Sequence, residues 1–176
     1  MSERVLYVVV CAAGPAAQVT ELVDQAQERG WTVQVIATLA ATAFIDEAAL
    51  EEQTGRPVRS RHREPGQQRS PKANVIVVAP ASFNTINKLA AGIADNYAMD
   101  VVGESLGIGV PVVVLPFVNS AYAARAPFRR SVESLRSEGA EILLGPGEFV
   151  PHPPKTGAGV EFPWKLALDR AEAVAQ

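Results

Sequence analysis

Val75 to Asn96 reads VIVVAPASFNTINKLAAGIADN, and the change of pattern inside this stretch decides the fold. Val75 to Ala79 is a β-branched apolar run, the mark of a strand buried on both faces. Pro80 has no N–H to donate and restricts the residue before it, so the strand is expected to stop there. Ser82, Asn84 and Thr85 put small polar side chains at a turn. From about Thr85 the spacing becomes helical, with Ile86, Leu89, Ala90 and Ile93 on one face. A strand, a polar turn and a helix N-terminus make a ligand edge in open α/β proteins. The first helical N–H groups are unpaired, and the positive end of the helix dipole faces the turn.

Outward from this stretch the same alternation repeats. Val5 to Val10 (VLYVVV) is a second two-face-buried strand. A turn with Cys11, Gly14 and Pro15 leads to a helix expected over about Ala16 to Arg29, closed by Gly30. Trp31 to Ala37 reads as the next strand, completing a right-handed β-α-β unit. The turn at Gly14 is small and uncharged, suited either to a tight turn or to close approach of a phosphate. It lacks the G-x-G-x-x-G pattern of a generic dinucleotide site. Thr38 ends that strand, and LAATAFIDEAALEEQ after it carries Phe44, Ile45 and Leu50 in one helical pattern. Residues 54–72 are polar, arginine-rich and broken by Pro and Gly, too long for a plain connection, and include His62.

Tyr97 to Leu106 reads as helix, and Val110 to Leu115 as another buried strand. That strand ends in a polar turn, Pro116 to Tyr122, which carries Asn119. A helix through Pro127 to Ser131 closes at Gly139, and Glu141 to Leu144 makes a last short strand. Residues 145–163 are rich in Gly and Pro, contain His152, and read as a mobile flap. An amphipathic helix over Trp164 to Val174 closes the chain. The alternation predicts an α/β domain over residues 1–176: an open, mostly parallel sheet with helices on both faces in three layers.

Composition narrows the function classes. Of 176 residues, 48% are apolar and 20% charged, which suits a soluble globular protein. A net charge of −3 gives no reason to expect nucleic acid or an anionic membrane as partner. The single cysteine, Cys11, excludes an intramolecular disulfide and a cysteine-based zinc cluster, and no metal site is expected. No apolar run has the length of a membrane helix, and no cleavable leader is visible, so a cytoplasmic protein is expected.

The opening stretch resembles the signature of the flavin-dependent cysteine decarboxylases. That family comprises phosphopantothenoylcysteine decarboxylases and the peptidyl-cysteine decarboxylases of lantibiotic-type biosynthesis. Its P-A-S-A-N-T motif stands here as Pro80-Ala81-Ser82-Phe83-Asn84-Thr85, with one change, and Ile86-Asn87-Lys88 and Gly92 to Asn96 continue the likeness. The resemblance reaches Thr38 to Ile45 and the Cys11 turn. It implies a flavodoxin-like (Rossmann-like) fold that binds FMN between the subunits of a homo-oligomer, a trimer or a dodecamer. By position, Gly14, Pro15 and Thr38 would lie by the flavin phosphate, and Phe44 would pack on the flavin. Ala81, Ser82 and Thr85 would hold it from the opening stretch.

Two departures stand out. The family's second motif, P-x-M-N-x-x-M-W, keeps Pro116 and Asn119 but has Val118, Tyr122 and Ala123 at its other positions. At the spacing of the family's catalytic histidine stands Gly66, and His62 lies four residues away. The resemblance implies oxidative decarboxylation: hydride loss from Cβ of a cysteine makes a thioaldehyde, whose C=S accepts electrons as carbon dioxide leaves. Asn84 and Asn119 are candidates to position the substrate, and His62 to act as base. The flap holds no cysteine, whereas the coenzyme A enzymes of the family use one there to reduce the enethiolate. That favours a peptide ending in cysteine as substrate, with an aminoenethiol as product. Phosphopantothenoylcysteine as substrate, and an FMN-binding subunit without turnover, are the alternatives.

Overall fold

In the computed structural model, which describes residues 3–175, the VLYVVV run forms β1 (Val5–Val10), an interior strand of a five-stranded sheet. The other strands are β2 (Thr32–Ala37), β3 (Val75–Ala81), β4 (Val112–Pro116) and β5 (Glu141–Ile142). All pairings are parallel, in the order β2-β1-β3-β4-β5. This is the flavodoxin-like order, in which the chain reverses its direction of winding between β1 and β3. Every residue of β3 and β4 is buried, as both-face cover requires. Helices among the described residues provide that cover. Helix α1 (Val19–Glu28) packs on α7 (Trp164–Val174), and α7 lies over β3 and β4. Helix α2 (Glu47–Thr54) packs on β2, and α4 (Tyr97–Gly107) on β4. Helix α3 (Phe83–Ala90) packs on α6 (Ala126–Ser137), which is preceded by the single-turn α5 (Ser120–Ala123).

Several expectations need correction at the element ends. Strand β3 does not stop at Ala79. Its register with β4 shifts between Val78 and Ala81, so the missing N–H of Pro80 falls in the irregularity and pairing resumes at Ala81↔Pro116. The helix expected from Ala16 begins at Val19, after a 3₁₀ segment over Gly14–Gln18. The pattern from Leu39 is two elements, because the Asp46 side chain accepts the Ala49 N–H and starts a new helix. Helix α3 begins at Phe83 and ends before Ile93, which is exposed. Gly92 adopts φ +69°, and the Ile93 N–H returns to the Lys88 carbonyl at 2.9 Å. Strand β5 is two residues long, with Leu144 turning instead to pair with Phe149. Residues 55–74 carry no helix or strand, apart from an isolated parallel bridge of Arg59 with Ile36. No described helix is long and apolar enough to cross a membrane.

The flap is tied to the core by its aromatic side chains. Phe149 and Phe162 are both buried and both face Phe117, at ring distances of 6.0 and 5.9 Å. Trp164 meets Phe162 edge-on at 4.7 Å. The apolar payload of these rings holds an otherwise Gly- and Pro-rich segment over the carboxyl end of β4.

Candidate functional site

At the carboxyl edge of β1, β3 and β4 the three following turns enclose a cleft of about 340 Å³. Ala12, Ala13 and Gly14 form one side, Ser82, Phe83 and Asn84 the second, and Phe117, Val118, Asn119 and Tyr122 the third, with His152 reaching in from the flap. Its position is the winding reversal between β1 and β3, where open α/β sheets bind ligands. Among the described residues, no Asp, Glu, Lys or Arg lines it.

The turn after β3 is held by its own polar side chains. Ser82 Oγ accepts the Thr85 N–H at 3.1 Å and donates to Thr85 Oγ1 at 3.0 Å. Behind them lies Cys11, fully buried. Burial pushes its thiol pKa up, and hydrogen bonds with the Thr85 side chain and the Ser82 backbone oppose part of that rise. The unfolded thiol therefore ionises first, near pH 8.5, and the folded state loses stability as pH rises above that value. In urea titrations from pH 7 to pH 10, the wild-type midpoint is expected to fall more steeply than that of Cys11→Ala. Equal slopes would show that the thiol does not titrate differently in the two states.

The turn after β4 is built similarly. Asn119 Oδ1 accepts the Tyr122 N–H at 3.0 Å and caps α5, and the Phe117 N–H reaches the Ala81 carbonyl at 2.9 Å. The flap joins here through a parallel bridge between Asn119 and His152, in which the Ser120 N–H donates to the His152 carbonyl at 2.8 Å. One wall is aromatic: Phe83 stacks on Tyr122 at 4.4 Å and on Phe128 at 5.5 Å. Phe83 is the changed residue of the first motif, and Tyr122 one of the changed residues of the second. They touch, so the two departures form one surface.

The structure brings Gly14, Ser82, Asn84 and Asn119 together in the cleft. Pro15, Ala81 and Thr85 are buried behind it as support. Thr38 sits at the end of β2, where its Oγ1 accepts the Ala41 N–H at 3.2 Å and its own N–H reaches the Val10 carbonyl. Phe44 follows it, 47% exposed, and neither residue lines the cleft. His62 is also elsewhere: it is exposed, edge-on to Tyr97, with Nε2 3.6 Å from Asp100 Oδ2. Phe117 and His152 are cleft residues that local pattern alone does not single out. Both owe their place to packing across the flap.

A flavin fits this chemistry. A Cβ added at Gly14 would meet Phe117 at 3.6 Å, an ordinary contact, so the protein itself does not require glycine there. The bare backbone leaves room for a ligand to approach closely. Uncharged turns at helix starts suit a phosphate, and the aromatic and small apolar walls suit a flat ring. Among the described residues, no group of three or more His, Cys, Asp or Glu is placed to hold a metal ion.

Comparison with known proteins agrees with this reading. A family model described as "Flavoprotein" matches residues 1–164. The coenzyme A biosynthesis bifunctional protein CoaBC of Escherichia coli (strain K12) is 31% identical over 133 residues, covering 72% of this chain and 32% of that protein. The chain thus spans about a third of the length of the curated relatives it matches. Among solved structures, the FMN-dependent cysteine decarboxylase TvaF from thioviridamide biosynthesis superposes with a TM-score of 0.78 at 21% identity, covering 99% of each chain. The FMN-binding protein AtHal3 does so with a TM-score of 0.71 at 17% identity, covering 99% of this chain and 100% of that one. At these identities the structural likeness speaks for the fold.

Proposed function

The chain belongs to the flavoprotein family, and from that premise we propose that it binds FMN in this cleft and oxidatively decarboxylates the C-terminal cysteine of a peptide. The observation that carries the proposal is the meeting of the Ser82–Asn84 turn and Asn119 at the β1/β3 winding reversal. Gly14 and Ser82 would hold the flavin, with Pro15, Ala81 and Thr85 supporting the turns that carry them. Thr38 and Phe44 stand at the neighbouring strand end, and would meet the cofactor where it extends beyond the cleft. When bound, FMN supplies a hydride acceptor, and dioxygen is the final oxidant. Asn119 Oδ1 is used by the cap, which leaves its Nδ2 amide group to donate to the substrate carboxylate. Asn84, exposed on the lip, is placed to do the same. Phe83 and Tyr122 shield the reacting end from water.

The peptide reading is favoured by the cysteine-free flap, since residues 145–163 hold no thiol to reduce an enethiolate. Phosphopantothenoylcysteine is the second reading, favoured by the likeness to CoaBC. We take the chain as one flavoprotein unit that works as a homo-oligomer, a trimer or a dodecamer, because the cleft is open at its lip and the resemblance implies a flavin shared between subunits.

Purified protein is expected to be yellow and to release FMN on denaturation. With a peptide ending in cysteine it should produce a species lighter by carbon dioxide and two hydrogens, seen by mass spectrometry. Turnover of phosphopantothenoylcysteine alone would select the second reading. Flavin without turnover of either would leave an FMN-binding subunit, and a colourless protein that takes up no added FMN would overturn the proposal.

A further inference from the structure

The proposed reaction needs a group that takes a proton from the cysteine thiol, and His62 is not in the cleft. Among the described residues, two titratable side chains line it: Tyr122 and His152. A phenol holds its proton at neutral pH, whereas an imidazole exchanges one there. A thiol, with an ordinary pKa of about 8.5, is within easy reach of an imidazole as base.

Packing places the His152 ring but does not account for its polar atoms. The structural work at this position is done by the backbone, which forms the bridge to Asn119 and accepts the Ser120 N–H. The ring lies 4.8 Å from Phe117 and 6.3 Å, edge-on, from Phe149, so two aromatic rings hold its orientation. Its Nδ1 is buried with no hydrogen-bond partner among the described residues. Buried polar atoms are nearly always paired, and a residue kept only for packing would not carry this cost. On the Nε2 side, the bare backbone of Gly157 lies close against the ring. A Cβ there would lie 2.9 Å from Nε2 and 3.1 Å from Phe117 Cζ. Gly157 does not have a positive φ, so it is space around the imidazole, rather than backbone strain, that excludes a side chain.

We propose that His152, carried by the flap and aligned by Phe117 and Asn119, is the catalytic base that accepts the thiol proton of the substrate cysteine. This rests on the decarboxylase reading above. The S–H bond breaks, an N–H bond forms on the imidazole, and the electron pair stays on sulfur as thiolate. The imidazolium returns the same proton to the enethiolate sulfur of the product, so the residue ends each cycle neutral. Because the base sits on the flap, proton transfer occurs only while the flap is seated on the turn after β4.

The test uses the flavin-loaded protein with His152→Gln and His152→Ala. Both are expected to keep their flavin and to lose kcat on a cysteine-terminated peptide by about 10²–10⁴-fold. Added imidazole should restore part of the His152→Ala rate, which a purely structural role would not permit. A binding measurement runs beside it. The chain has two histidines, so the His152 ring signal in an NMR spectrum is the one missing from His152→Gln, or the one kept in His62→Gln should the first variant not fold. That signal is expected to move on adding a peptide ending in cysteine and to stay on adding the same peptide ending in serine. A wild-type rate in His152→Gln, or no response of the ring to the cysteine peptide, overturns the assignment while leaving the decarboxylase reading in place. Flavin-loaded wild type that turns over neither cysteine substrate overturns the reading instead. The ring's response to cysteine over serine then supports thiol contact by His152 on its own.

Discussion

Asn119→Asp is expected to lower kcat/KM on a cysteine-terminated peptide by roughly 10²-fold, with folding and flavin content unchanged. The substitution separates two jobs of one side chain. Oδ1 accepts the Tyr122 N–H at 3.0 Å, and an aspartate oxygen caps a helix as well as an asparagine oxygen does. The other end changes sign of action: an amide that donates to the substrate carboxylate becomes a carboxylate that repels it. A hydrogen bond to a charged group contributes about 1.5–3 kcal/mol, and repulsion in a cleft without a compensating cation adds to the loss. Asn119→Ala loses the cap as well, at about 1 kcal/mol of stability, so it confounds the two jobs. Steady-state kinetics of both variants beside urea titrations resolves them. Wild-type kcat/KM in Asn119→Asp would remove Asn119 from carboxylate binding.

Phe149→Ala carries the largest expected effect on stability, about 3–5 kcal/mol. Phe149 is 2% exposed and forms the buried foot of the flap. Its ring faces Phe117 and Phe162, at 6.0 and 6.2 Å, and its carbonyl accepts the Gly145 N–H at 3.0 Å. Truncation leaves a cavity lined by rings that follow the missing atoms inward only in part, since Phe117 comes directly after β4 and Phe162 two residues before α7. Against the usual 5–15 kcal/mol of a domain, that is a large share. The urea midpoint should fall accordingly with little change in m. The same change removes the edge-on neighbour of His152 and should lower kcat under conditions where the protein is still folded. A midpoint shift worth less than about 1 kcal/mol would show that the flap lies outside the cooperative core.

The gaps between pattern and structure lie where a local rule met a neighbour. Pro80 reads as a stop because a strand interior needs its N–H, but a register slip places it where no ladder bond is required. Ile93 reads as the next residue on the buried face of α3, but Gly92 turns the chain before it can get there. LAATAFIDEAALEEQ keeps a helical period throughout, and it takes the Asp46 cap to divide it. Each miss concerns an element end or a division within a few residues, and none removes a strand.

What the sequence determined by itself is the architecture and the place of the cleft. The continuous apolar runs at Val5, Val75 and Val112, each leading into a polar turn and a helix start, admit little besides a parallel sheet covered on both faces. The turns at Gly14, Ser82 and Asn119 must then share one edge, because parallel strands all end on the same side. Only the tertiary structure decided which side chains face one another there. It joined Phe83 to Tyr122, moved His62 to the flank of α4, and brought His152 from the flap into the cleft. The reason is physical: hydrophobic period and turn chemistry act over a few residues. The partners of a ring or an imidazole are set by how distant segments pack, and that packing leaves no period in the chain.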